Sequence, residues 1–218
     1  MSKENREQVA RQVAGDLLEI GAVFLRPDEP FTWASGIKSP IYCDNRLILG
    51  KPAVRSRVER ALADTVLDVF PGAELLMGTA TAGIAHAALS AELLGLPMGY
   101  VRSGAKEHGR GSQIEGGPKP GAKTVVIEDL ISTGGSSLDA ANALQDGGLD
   151  VMGVLAIFTY GMDKAASRFL DANLPYAALT NLDTLVQVAV EQRYLSPAQG
   201  PEILKFRDNP AAWWKEQS

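Results

Sequence analysis

The chain has 218 residues, 45% of them hydrophobic and 22% charged, with a formal net charge of −5. This is an ordinary globular composition, and the acidic balance argues against a general nucleic-acid binder. No apolar run reaches the ~18 residues of a membrane span, and the first eleven residues lack an apolar signal-peptide core. The single cysteine, Cys43, rules out an internal disulfide, so a cytoplasmic location is the expectation.

Taken in chain order, apolar residues at helical spacing over 7–20 (Val9, Val13, Leu17, Leu18, Ile20) predict a helix stopped by Gly21. Residues 22–46, rich in Pro, Gly and aromatics, read as short strands and turns. A helix is expected over 51–70, with Pro52 in its first turn and Val54, Val58, Leu62 and Val66 on one face. Beyond 74, short apolar runs alternate with helical segments. Strands are expected near 75–77, 98–101, 124–131, 151–159 and 176–179, with helices over 83–94, 136–144, 163–172 and 182–191. That alternation implies βαβ units and a parallel sheet flanked by helices. One α/β domain over 1–218 is expected: helix and hood to residue 50, core over 51–195, and a C-terminal helix or tail over 196–218. In the tail, Trp213 and Trp214 are expected to pack on the body or on a partner. Ligands of such sheets sit at the carboxyl ends of the strands, which directs attention to the segments after 77, 101, 131 and 159.

The most informative stretch follows the strand over 124–131. Val125, Val126 and Ile127 lead to the acids Glu128 and Asp129, then Leu130 and Ile131, then the small-residue turn Ser132-Thr133-Gly134-Gly135-Ser136. The turn offers open backbone N–H groups, hydroxyls and a helix N-terminus, which together make a cradle for a phosphomonoester. No Lys follows the glycines, so it is not a nucleoside-triphosphate P-loop. Two adjacent carboxylates at a sheet edge are costly unless they bind something. Ribose hydroxyls or a hydrated Mg²⁺ fit that need, so a ribose 5-phosphate matches both halves of the motif. The bland alternative is a helix cap followed by a turn.

This stretch resembles the 5-phosphoribosyl-1-pyrophosphate (PRPP) signature of type I phosphoribosyltransferases. The resemblance implies a type I phosphoribosyltransferase fold with a small N-terminal hood, and PRPP binding by residues 128–136. Gly78-Thr79-Ala80-Thr81-Ala82-Gly83 also joins a strand to a helix and suits an anion; a plain strand–helix turn explains it as well. In the family this position is the pyrophosphate loop, which implies Thr79, Ala80 and Thr81.

Arg102 opens a Gly-rich charged segment that runs to about Gly121 and carries Lys106, His108 and Arg110. Long segments of this kind act as lids or are solvated loops. Its cations suit a pyrophosphate leaving group, and Arg102 can bind phosphate oxygens bidentately. The pattern, with Ile114-Glu115-Gly116 after it, resembles the catalytic loop of orotate phosphoribosyltransferases. The resemblance implies a homodimer whose loops reach across to the partner, Arg102, Lys106 and His108 on PRPP, and Lys106, His108 and Asp129 as catalytic groups. The chain departs from the family pattern at Ser103 and Gly104, one of which is commonly Lys, and at Ala82 and Ala34, which are Lys in some members.

Residues 31–46 offer aromatic faces for a flat ligand, plus Lys38 and Arg46 for a carboxylate. A hairpin over a buried aromatic cluster is the other reading. The run Phe31-Thr32-Trp33-Ala34-Ser35-Gly36-Ile37-Lys38-Ser39-Pro40 resembles the hood of orotate phosphoribosyltransferases. It implies orotate binding by Phe31, Lys38 and Ser132. The reaction so implied joins orotate to PRPP, yielding orotidine 5'-monophosphate and pyrophosphate in pyrimidine biosynthesis. Mg²⁺ would be carried by PRPP rather than by direct protein ligands, and no nucleic-acid or membrane partner is expected. The alternatives are a phosphoribosyltransferase for another base and a PRPP-sensing regulator on the same fold.

Overall fold

The computed structural model describes residues 1–32, 36, 38–102, 104, 113–210 and 212–213. Helix α1 (Lys3–Glu19) begins a turn before its apolar stripe because Ser2 caps it, its Oγ accepting from the Asn5 amide at 3.2 Å. Strand β1 (Val23–Leu25), the ribbon of β2 (Phe31–Thr32) and β3 (Lys38–Ser39), and β4 (Ile41–Cys43) form the hood. There β1 pairs antiparallel with β4, and β2 with β3. A 3-10 turn, Asn45–Gly50, leads into α2 (Pro52–Val69), which starts on proline, where no amide donor is needed.

The core then runs β5 (Leu75–Thr79), α3 (Ala82–Leu94), β6 (Met98–Val101), β7 (Ile114–Glu115), β8 (Lys123–Ile131), α4 (Gly135–Asp146), β9 (Asp150–Thr159), α5 (Asp163–Asp171), β10 (Tyr176–Asn181) and α6 (Leu182–Glu191), with α7 (Gln199–Asp208) closing the chain. The six-stranded sheet has the order β10-β9-β8-β5-β6-β7. All neighbours are parallel except β7, which pairs antiparallel with β6. The expected parallel sheet thus gains a two-residue edge strand, too short to show any periodicity. The chain proceeds from β5 toward one edge and from β8 toward the other. The carboxyl ends of β5 and β8 therefore flank the switch point where open α/β sheets bind ligands.

Both faces of the sheet are covered. Val125 and Ile127 pack with Val58, Leu62 and Ala87 on the side of α2 and α3. Val126 packs with Leu144 and Phe169 on the side of α4 and α5. Strand side chains alternate between faces, and fully burying each of these large ones contributes about 1.5–3 kcal/mol. The C-terminal Trp213 packs on the body itself. Its Nε1 donates to the Glu202 carbonyl at 2.8 Å, and its ring meets Phe206 edge-on at 5.9 Å. Trp214 lies outside the described residues. Among the described residues no helix is long and apolar enough to cross a membrane.

Candidate active site

Alternation along β8 separates the two acids. Glu128 points toward α4 and is 4% exposed. Its Oε1 accepts from Thr79 Oγ1 at 2.6 Å and from the Asp129 amide at 3.0 Å. Its Oε2 accepts from Ser136 Oγ at 3.1 Å and Ser137 Oγ at 3.0 Å. Both carboxylate oxygens thus tie the end of β5 to the first turn of α4. A buried charge held by hydrogen bonds on both oxygens is tolerable where a bare one is not.

Asp129 takes the other face and is half-buried. Its carbonyl accepts from Asn45 Nδ2 at 2.7 Å, which pins the strand end to the turn below the hood. Burial first, and the neighbouring Glu128 carboxylate second, push its carboxyl up from the ordinary value to about 7. With Glu128 engaged by the protein, Asp129 is the acid of the pair left for a ligand.

The turn after β8 is shaped by glycine. Gly134 has φ +75°, and a Cβ there would lie 3.0 Å from Phe169 Cε2. Arg168 Nη1 holds the Thr133 carbonyl at 3.1 Å. Helix α4 starts at Gly135 with no side-chain cap, so its first amides remain open to an anion. Ser132 and Thr133 are half-buried, and Ile131 is fully buried in the core.

Two cavities flank the end of β8. One, of about 390 Å³, is lined by Thr79 and Ala80 after β5, Arg102 after β6, and Ser136 and Asp139 on α4. The Ala80–Thr81 peptide is cis, and the Ala80 amide donates to the Val101 carbonyl at 2.9 Å. A Cβ on Gly83 would lie 2.4 Å from the Ile127 carbonyl, so α3 is seated against β8. Arg102 is half-exposed, with Nη1 3.8 Å from Glu115 Oε1, and its amide donates to the Gln113 carbonyl at 2.9 Å. Lys106, His108 and Arg110 lie outside the described residues.

The second cavity, of about 600 Å³, opens between the hood and the ends of β8 and β9. Its walls include Phe24, Arg26, Phe31, Tyr42, Ser132 and Tyr160. Phe24 and Tyr42 are register partners across β1 and β4. Phe31 lies 5.9 Å from Tyr42 and 6.5 Å from Phe24, centroid to centroid. Arg26 lies over the Phe31 ring at 5.0 Å. Here a flat ligand meets aromatic walls and a guanidinium. Of the sequence-predicted base contacts, Phe31 and Ser132 line this cavity. Lys38 instead donates to Thr32 Oγ1 at 2.7 Å across its own hairpin, outside the lining. Arg46 is held by Asp44 through two short bonds, 2.6 and 2.7 Å. Tyr42 belongs to the aromatic stretch expected over 31–46, whereas Phe24, Arg26 and Tyr160 were not singled out from sequence. The two-residue spacing of Phe24 and Arg26 was the available signal, since it puts both on one strand face.

The sequence matches no protein-family model. It is 55% identical over 212 residues to the orotate phosphoribosyltransferase of Bacillus subtilis (strain 168), covering 96% of this chain and 98% of that one. It is 54% identical over 207 residues to that of Bacillus pumilus (strain SAFR-032), covering 94% and 98%. The chain belongs to the orotate phosphoribosyltransferase family. The fold agrees with this membership. The crystal structure of orotate phosphoribosyltransferase from Aeropyrum pernix superposes with a TM-score of 0.74 at 28% identity, over 84% of this chain and 99% of that one.

Proposed function

We propose that the chain transfers the phosphoribosyl group of PRPP to orotate, releasing pyrophosphate and forming orotidine 5'-monophosphate. The observation that carries this reading is the pair of cavities flanking the end of β8. One has an uncapped helix start and an arginine beside it, and the other has aromatic walls. In this arrangement residues 132–136 cradle the 5-phosphate, Asp129 meets the ribose hydroxyls, and Thr79, Ala80, Thr81 and Arg102 face the pyrophosphate. Orotate lies against Phe31 and Tyr42, near Ser132, with Arg26 within reach of its carboxylate.

No nucleophilic side chain is required, because a ring nitrogen of orotate displaces pyrophosphate at the anomeric carbon. The protein's work is to hold the partners in line and to stabilise charge on the leaving group. We assign Lys106 and His108 to that second task. The donor set suits a cation that arrives on PRPP: both Glu128 oxygens are engaged by the protein. When bound, Mg²⁺ neutralises charge on the pyrophosphate. We further propose a homodimer with each loop shared across the interface, and a cytoplasmic location.

The test is loss of orotate absorbance on mixing the protein with PRPP, orotate and Mg²⁺, with adenine, hypoxanthine and uracil as parallel controls. Orotate-specific, Mg²⁺-dependent turnover is expected. Turnover of another base would overturn the choice of substrate, and tight PRPP binding without any turnover would point to the regulator.

A further inference from the structure

Helix α5 packs against the turn over 132–136, and one of its residues has no part in the reaction as described. Phe169 is 2% exposed, its ring stacks on Tyr176 at 4.4 Å, and a Cβ on Gly134 would lie 3.0 Å from its Cε2. This buried ring seats α5 against the turn and so places the neighbouring residue, Arg168. The Arg168 side chain is exposed, yet it reaches back across 35 positions of sequence, and its Nη1 donates to the Thr133 carbonyl at 3.1 Å. The same nitrogen lies 3.4 Å from where a Cβ on Gly135 would stand. Among the described residues this is the one hydrogen bond that Arg168 makes, and no carboxylate pairs with it.

The peptide between Thr133 and Gly134 gives that bond its meaning. It is trans, so its C=O and N–H lie in one plane and point in opposite directions. A carbonyl held toward α5 therefore aims the Gly134 amide away from α5, where no described residue accepts from it. The next peptide is held by other means. The Gly134 carbonyl accepts from the Leu138 amide at 3.1 Å, which is the opening bond of α4. The Thr133 carbonyl lies ahead of that bond and, among the described residues, accepts from Arg168 alone. Gly134 sits at φ +75°, and glycine takes either hand of the backbone at little cost. An untethered peptide at this point can flip, which puts the carbonyl where the amide stood. An anion in the turn would then meet an oxygen lone pair instead of a donor.

We propose that Arg168 is a positioning residue for the 5-phosphate of PRPP: it tethers the Thr133 carbonyl so that the Gly134 amide stays presented to the phosphate. This rests on the proposed reading of residues 132–136 as the phosphate cradle. Arg168 acts through the peptide and does not itself touch substrate.

The test measures Kd for ribose 5-phosphate, orotidine 5'-monophosphate and pyrophosphate by calorimetry, in the parent and in Arg168→Ala, with thermal unfolding of both. The side chain is exposed, so the variant should fold and melt as the parent does. Kd for the two 5-phosphate ligands should rise about tenfold, the scale of one hydrogen bond to a charged group, while Kd for pyrophosphate stays unchanged. The rise should persist in about 1 M KCl, where exposed charges act over only about 3 Å. An unchanged Kd for ribose 5-phosphate would overturn the proposal, and so would an equal loss for pyrophosphate. A rise that vanishes at high salt would also overturn it, because charge acting at a distance would then account for the effect. The proposed function stands or falls separately. A parent that turns over orotate beside a variant with unaltered affinities would sink the tether alone. Selective loss of 5-phosphate binding in a protein that turns over no base would keep the tether and sink the enzyme. A parent that binds neither 5-phosphate ligand would overturn both.

Discussion

Replacing Glu128 with Ala removes the junction between the end of β5 and the first turn of α4. Ser137 Oγ is buried and loses its acceptor, and Thr79 Oγ1, also buried, keeps only the Ile127 carbonyl at 3.4 Å. Each unsatisfied buried donor costs about 1–3 kcal/mol. Ser136 is exposed and turns to water, so it adds nothing. Loss of the carboxylate also returns part of its own desolvation cost. The expected net loss is about 2–4 kcal/mol for Glu128→Ala and about 1 kcal/mol for Glu128→Gln, which keeps one acceptor oxygen. That is a large share of a domain stability of about 5–15 kcal/mol. Urea unfolding with linear extrapolation reads it directly. In the same variant KM for PRPP should rise while KM for orotate stays put, because only the loops proposed to hold PRPP lose their common anchor. A stability loss under about 0.5 kcal/mol, the range of an ordinary surface change, would refute the junction.

Three further outcomes are expected. The Asp129 carboxyl is raised from 3.8 to about 7 in the folded chain, so its contribution to stability is present in full below pH ~4 and is lost as pH rises through ~7. Unfolding free energy of the parent minus that of Asp129→Asn should therefore fall across this window; a flat difference would count against the assignment. Phe31→Ala and Tyr42→Ala should each raise KM for orotate by about 5–30-fold, the equivalent of 1–2 kcal/mol, without changing KM for PRPP. An equal change in both constants would remove the hood from base binding. Gly134→Ala should cost about 1–2 kcal/mol for an L side chain in the left-handed region. It also crowds Phe169, so melting temperature and PRPP affinity should drop together; unchanged melting would show that the turn relaxes freely.

How far the sequence reaches depends on the range of the interaction involved. The strand ending at Ile131, the turn over 132–136 and the helix after it are local, and hydrophobic run, glycine pair and helix start all act within a dozen residues. The helices were legible for the same reason, although α1 begins earlier because the cap Ser2 lies outside its apolar stripe. What escaped was long-range. That Glu128 is bound by Thr79 depends on the pairing of β5 with β8, which no spacing reveals. The walls supplied by Phe24 and Tyr160 join the expected aromatic stretch only once β1 folds onto β4 and the hood onto β9. Lys38 shows the converse: its type suits a carboxylate, but hairpin register gives it Thr32 as a partner.

The separation of the two cavities bears on how such a protein changes over generations. The wall against the flat ligand is drawn largely from residues 24–42, while the phosphate side is drawn from residues 79–139. Just after the first segment, Asn45 ties the hood side to the second through the Asp129 carbonyl. On the proposed reading, substitutions in the short hood would reshape which ring is accepted while leaving the lining of the other cavity untouched.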